Sequence, residues 1–289
     1  MDVDCRADCD CVNVSGERNG ESMRELCRAI EMPKEVTEYA VRFDSEFEYG
    51  SAEAGMNKLF DPAAWNEGLK ELKASLGEDP KGYKMLTCML HCCGRTWEFY
   101  RSHGISGQIF AETMKCFSRF VKEHKESYGC YGFDREWWTA RQLSGRLFRI
   151  GELEYELREE KGERVIALHI PSDARLERER VLASIGQARK FLEEKFPEYS
   201  KAEMQCHSWL LSPTLREVLP PKSNILAFQE LFDIKILGED KAGEYMVWVF
   251  KRSDIPLENL PENTSLQRRL KAYLLSGGKV LEADGELKH

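Results

Sequence analysis

From Glu21 to about Gly145 the apolar residues recur three and four positions apart, the spacing of amphipathic helices, and no alternating run interrupts them. Asp61-Pro62 and Asp79-Pro80 each place an N-cap residue before a proline suited to a first helical turn. A helix start is expected at each, the second leading into the apolar stretch Tyr83 to Tyr100. Further helices are expected from Ser106 to about Lys125 and from Phe133 to about Leu143, the last closing near Gly145.

After Gly145 the period changes to two. Leu153, Tyr155 and Leu157 alternate with Glu152, Glu154 and Glu156, as in a strand with one face in water. Past a polar turn at Glu160-Lys161-Gly162-Glu163, Arg164 to Ile170 is more continuously apolar and so reads as a central strand. Leu176 to Phe196 regains helical spacing and stops at Pro197. A strand from Met204 to Leu211, a helix from about Asn224 to Leu231, and strands Phe232–Leu237 and Glu244–Phe250 follow, the last two forming a hairpin through Gly238 and Gly243. Thr264 caps a final helix that Gly277-Gly278 ends. The chain therefore reads as α+β. Residues 1–20 are a polar, disordered lead, 21–145 an all-helical domain, and 146–289 a mixed sheet flanked by helices in the order β-β-α-β-α-β-β-α.

A length of 289 residues accommodates these two domains. The formal charge of −8 repels polyanions over most of the surface and turns the reading away from nucleic acid. No apolar run approaches the roughly 18 residues of a membrane span. Met1-Asp2-Val3-Asp4-Cys5-Arg6 lacks the basic then apolar order of a secretory signal, so a cytoplasmic protein without a membrane partner is expected. The ten cysteines are then expected as thiols. Cys5, Cys9 and Cys11 fit no closed zinc spacing, and Cys88, Cys92 and Cys93 crowd one helix as packing residues. No metal is expected.

Two segments carry polar groups that a plain core avoids. Val165-Ile166-Ala167-Leu168-His169-Ile170-Pro171 ends an apolar strand on a histidine, and Cys206-His207-Ser208-Trp209-Leu210-Leu211-Ser212-Pro213 places a histidine and a serine on opposite faces of another. Two such strand ends can frame a site.

The pieces His169-Ile170-Pro171, Ser208-Trp209-Leu210-Leu211, Ser223-Asn224-Ile225-Leu226 with Phe228-Gln229, and Leu260-Pro261-Glu262 with Thr264-Ser265-Leu266-Gln267-Arg268 resemble bacterial acyltransferase-like proteins. Those proteins join a helical N-acyltransferase amino-terminal domain to a GNAT-like carboxyl-terminal domain, and the resemblance spans most of residues 20–280. It implies that acyl-CoA is the co-substrate and lies where the two central strands, Arg164–Ile170 and Met204–Leu211, splay apart. It further implies that Ile170, Pro171, Ser172, Asp173, Ala174, Arg175 and Leu176 form the pyrophosphate loop before a helix starting near Glu177. A helix amino terminus supplies N–H donors and partial positive charge to such an anion, and Arg175 adds a charged contact. The glutamine- or arginine-led, glycine-containing phosphate motif of the superfamily is absent, and Asp173 puts a negative charge in the loop. Ser172 or Asp173 reads equally well as a helix cap.

On this resemblance the function is acyl transfer from acyl-CoA to a small amine or amino-acid-type acceptor, with room for a homodimer. The alternative is an inactive module that senses CoA or another metabolite. His169, at the carboxyl end of its strand, is the first choice for the base. His207 and Ser208 are alternatives to each other, and Asn224 either caps the next helix or donates to a substrate oxygen. Glu152, Glu154 and Glu156 offer a carboxylate base, although a solvated strand face also accounts for them. The superfamily often carries a tyrosine acid on the helix that here offers Phe228, which has no proton to give.

Overall fold

The structure, a computed structural model, describes residues 20–240 and 243–288. The leading segment with Cys5, Cys9 and Cys11 lies outside the described residues. Two compact units divide the chain, the first ending at Phe148 and the second beginning at Arg149.

The first unit holds helices α1 (Gly20–Ala29), α2 (Lys34–Glu46), α3 (Glu53–Lys58), α4 (Trp65–Leu76), α5 (Tyr83–Ser102), α6 (Gly107–Tyr128) and α7 (Glu136–Leu143). Helix α5 is its centre, because Met85, Leu86, Cys88, Met89, Leu90, Cys92, Cys93 and Tyr100 make it apolar nearly all round. The described cysteines form no disulfide, and burial pushes the Cys88 thiol up to about 12, which keeps it an inert packing group. Neither Asp-Pro aspartate is the N-cap residue of the helix that follows it. Asp61 accepts the N–H of Ala63, and α4 starts four residues after it. Asp79 reaches forward to the N–H of Met85 at 2.9 Å, while left-handed Gly82 (φ 67°) opens the helix. Only glycine fits there, since a Cβ would stand 1.9 Å from the carbonyl oxygen of Phe133.

The second unit is built on a six-stranded mixed sheet of β1 (Leu147–Ile150), β2 (Leu153–Glu160), β3 (Glu163–His169), β4 (Glu203–His207), β5 (Phe232–Glu239) and β6 (Leu281–Leu287), in the order β1-β2-β3-β4-β6-β5. Its helices are α8 (Arg178–Lys195), α9 (Leu215–Val218), α10 (Asn224–Gln229), α11 (Glu244–Val249) and α12 (Ser265–Leu275). Lys161 and Gly162 both take positive φ, the pairing of a tight hairpin turn, and fix the antiparallel β2–β3 register at Glu160 opposite Glu163. Long helix α8 crosses over to make β4 parallel to β3. Ser184 seats α8 on the sheet by donating to the carbonyl of Ile150, accepting the N–H of Leu153 and bonding the hydroxyl of Tyr155.

Four expectations are corrected. The alternation of Glu152, Glu154 and Glu156 does not mark a wet face, since Glu154 and Glu156 are 2% and 3% exposed. The strand expected to run to Leu211 ends at His207, where Ser208 caps a 3-10 turn over Trp209–Leu211. Glu244–Val249 is a helix, so no hairpin joins it to β5. Met246, Val249 and Phe250 instead fill a separate small core with Val218, Leu260, Leu270, Leu274 and Val280. The partner of β5 is β6, which also pairs with β4 and was not expected from the sequence. The final helix is capped as expected, with Thr264 and Gln267 forming a reciprocal capping box.

Gly285 explains why such a polar segment can enter the middle of the sheet. It stands opposite Cys206 of β4 and Ile234 of β5, and a Cβ there would lie 2.6 Å from Leu211 Cδ1 and 2.9 Å from Phe232 Cβ. Gly285→Ala is expected to destabilise the protein by about 1–3 kcal/mol, the usual cost of overpacking a filled core, measured as a lowered urea midpoint. An unchanged midpoint would show that Leu211 yields freely.

Candidate active site

The β3–β4 ladder is short. It pairs Val165 with Glu203, Ile166 with Met204 and Ala167 with Gln205, and then ends. Beyond that point Leu168 and His169 pair with β2, whereas Cys206 and His207 pair with β6. Two parallel strands thus part company at their carboxyl ends, the end of an open α/β sheet where sites collect.

His169 is the last residue of β3 and its side chain is mostly buried, at 15% exposure. Its Nε2 lies 2.8 Å from Oε2 of Glu156 on the neighbouring strand. The contact is diagonal, because the residue directly opposite His169 is Glu154. The same oxygen accepts from Nε and Nη2 of Arg158 at 2.9 and 2.7 Å. Burial alone would raise the Glu156 carboxyl, but the hydrogen bonds and positive charge of His169 and Arg158 outweigh it and bring it down to about 2. A carboxylate this acidic only accepts, so a neutral His169 carries its proton on Nε2 and its lone pair on Nδ1. Such an arrangement can fix the tautomer of a base and supply a counter-charge for an imidazolium.

The other candidates are engaged elsewhere. His207 is 44% exposed and its Nδ1 lies 2.6 Å from Asp284 Oδ1, its directly opposite neighbour on β6, with Nε2 3.1 Å from Glu282. Partial burial pulls its pKa down, but the hydrogen bond to Asp284 and the charges of Asp284, Glu282 and Glu244 prevail and raise it. With both ring nitrogens facing carboxylates, His207 serves as a cross-strand link between β4 and β6. The Ser208 oxygen accepts from the N–H of Leu210 at 3.1 Å, so its contact is a cap. Asn224 is exposed at the first position of α10, and the cap there is Ser223, which accepts from Ile225. Phe228 is buried against Phe232. Its neighbour Gln229 donates to the carbonyls of Leu210 and Ser212 at 2.9 Å each, holding the turn that follows β4.

The segment Ile170 to Leu176 runs from β3 towards α8. Pro171 is buried while Ser172, Asp173 and Arg175 are exposed, and Ala174 N–H closes a turn on Pro171. Neither Ser172 nor Asp173 caps α8: its N-cap position is Glu177, with no side-chain cap, and Asp173 instead accepts from Arg149 Nη1 at 2.9 Å. Arg149 also donates through Nε to Gly151. Two residues of this neighbourhood were missed from the sequence. Arg158 and Arg149 gave no signal beyond an ordinary surface charge.

Residues 21–145 match the N-acyltransferase N-terminal domain family and residues 147–287 the GNAT-like C-terminal domain family. The chain belongs to the GNAT-like acyltransferases that combine these two domains, and it is a transferase. Among solved structures, an acyltransferase in complex with decanoyl-CoA is 25% identical, with a TM-score of 0.79 over 93% of this chain and 88% of that one. An acyltransferase in complex with decanoyl-CoA and teicoplanin is likewise 25% identical, with a TM-score of 0.78 over the same shares. No curated protein matches the chain in sequence. No described helix is long and apolar enough to cross a membrane.

Proposed function

We propose that the enzyme transfers an acyl group from acyl-CoA to the amine of a small-molecule acceptor, with His169 as the base. The observation that carries this reading is the His169–Glu156 pair at the point where β3 and β4 separate. Support for the donor comes from the acyl-CoA bound to similar acyltransferases. The parted strands of this chain suit it as well, since they leave main chain beyond Ala167 outside the β3–β4 ladder, where an extended pantetheine arm can hydrogen-bond. The pyrophosphate is assigned to the loop Pro171–Leu176 and the amino terminus of α8.

In this mechanism Nδ1 of His169 takes a proton from the attacking nitrogen as the C–N bond forms and the C–S bond of the thioester breaks. The sulfur leaves as a thiolate, and the proton returns to it from the imidazolium. The products are an amide and CoA. Glu156 holds the ring in place and balances its positive charge between the two proton transfers, and Arg158 keeps Glu156 ionised. The buried Phe228 has no part in proton transfer. The teicoplanin held by one similar acyltransferase extends the acceptor class from free amines and amino acids to amines borne on larger molecules.

The test is product detection by mass spectrometry after incubation with acetyl-CoA or decanoyl-CoA and a panel of primary amines, amino acids and aminosugars. An N-acyl product of the expected mass is the predicted result. Hydrolysis alone, or no consumption of either thioester with any amine, would overturn the reading.

A further inference from the structure

The loop assigned to the pyrophosphate already holds an anion, and that anion belongs to the protein. Glu152 lies between β1 and β2, with a side chain only 16% exposed. Its Oε2 accepts the backbone N–H of Arg175 at 2.9 Å, and its Oε1 accepts from Nη1 of Arg180 in the first turn of α8 at 3.1 Å. A loop N–H and a guanidinium converging at a helix amino terminus are the donors with which proteins hold phosphate. Here both are directed at a carboxylate. Glu177, one turn away, also approaches Arg180, at 4.0 Å. Asp173 of the loop is held by Arg149, so the segment is tied at two points, by this ion pair and by the Arg175 N–H on Glu152.

We propose that Glu152 is an internal competitor for the phosphate site, setting how tightly the donor binds. This inference rests on the acyl-CoA reading above. A pyrophosphate that takes the Arg175 N–H and Arg180 must displace the Glu152 carboxylate, and while Glu152 stays near it repels the incoming charge. The contact therefore weakens donor binding through the phosphates and leaves the pantetheine end untouched. It also offers a physical reason why this loop works without the glycine-containing phosphate motif: its conformation is imposed by Glu152 and Arg149 from the sheet and not by glycine turns within the loop.

Calorimetric titration of the full chain with CoA and, separately, with pantetheine tests the idea on the wild type and on Glu152→Gln. Removing the charge is expected to tighten CoA binding about tenfold, the scale of one charge-assisted hydrogen bond, and to leave pantetheine binding unchanged. Equal or weaker CoA binding by Glu152→Gln would overturn the proposal and leave Glu152 as a tether for the loop. Absence of CoA binding by both proteins would instead remove the acyl-CoA reading, and this inference with it. Each variant is first checked for cooperative thermal unfolding. If Glu152→Gln does not fold, Glu152→Asp keeps the charge but withdraws it by one methylene, and an intermediate gain of about threefold is expected.

Discussion

Replacing His169 by alanine is expected to lower kcat for acyl transfer by about 10²–10⁴-fold, the contribution of a positioned general base, while KM for acyl-CoA changes by no more than about threefold. The separation follows from what the side chain touches. His169 ends β3 and bonds Glu156 through Nε2, and it lies outside the loop assigned to the phosphates. His169→Gln makes the test sharper, because an amide preserves a hydrogen bond to Glu156 yet cannot take a proton. It should fold as the wild type does and remain as inactive as His169→Ala. His207→Gln is the matched control: its ring lies between Asp284 and Glu282, so kcat should stay within about threefold. Steady-state kinetics at saturating acceptor decide the matter. If His169→Gln retained wild-type kcat, the base would have to be another group.

The helical half was legible because a period of three to four is repeated over many turns, and tertiary packing only refines where each helix starts. At Asp79-Pro80 the aspartate caps from a distance, its carboxylate reaching Met85 N–H across the intervening turn, whereas Asp61 closes a turn on Ala63 and does not cap α4. In the second unit, propensity and packing diverge. Glu244-Tyr245-Met246-Val247-Trp248-Val249 is rich in β-branched and aromatic residues, yet it is a helix because Met246, Val249 and Phe250 share one face over the core of Leu260, Leu270 and Leu274. Conversely, Leu281-Glu282-Ala283-Asp284-Gly285-Glu286-Leu287 has the composition of a loop and is a strand between two others. Its Gly285 and Ala283 are small where the neighbours leave no room, and Asp284 is matched by His207 across the ladder.

The candidate pair was half legible. His169 stood out as a polar residue ending an apolar strand. Glu156 was visible as a carboxylate on the preceding strand but read as solvated, because alternating glutamates usually face water. The hairpin turn held the missing information. A two-residue turn at Lys161-Gly162 sets Glu160 opposite Glu163, and counting back from there places Glu156 opposite Ala167, diagonal to His169 and on the same face. What no pattern supplies is the burial of that face, which depends on elements distant in sequence.

Glu156 should therefore matter to stability as much as to the chemistry, and with a distinctive pH dependence. Its carboxyl is held down at about 2, against an ordinary value of 4.5 in the unfolded chain. A carboxyl of lowered pKa lends its stabilisation above the unfolded value and loses it as pH falls towards the folded one, so the window is from about pH 4.5 down to about pH 2. The difference corresponds to about 3 kcal/mol, at 1.36 kcal/mol per pKa unit, when both Arg158 and His169 carry their charge, and to less when His169 is neutral. Glu156→Gln is expected to unfold more easily than the wild type at pH 7 by about 1–3 kcal/mol, since Arg158 loses its counter-charge and the His169 Nε2–H loses a charged acceptor. The gap should narrow steadily below pH 4.5, because the wild type then gives up the same interaction by protonation. Urea unfolding at pH 7, 4 and 3 provides the comparison. Curves separated by a constant amount across that range would mean that Glu156 contributes by packing alone. The counter-charge for the His169 imidazolium would then have to come from another group.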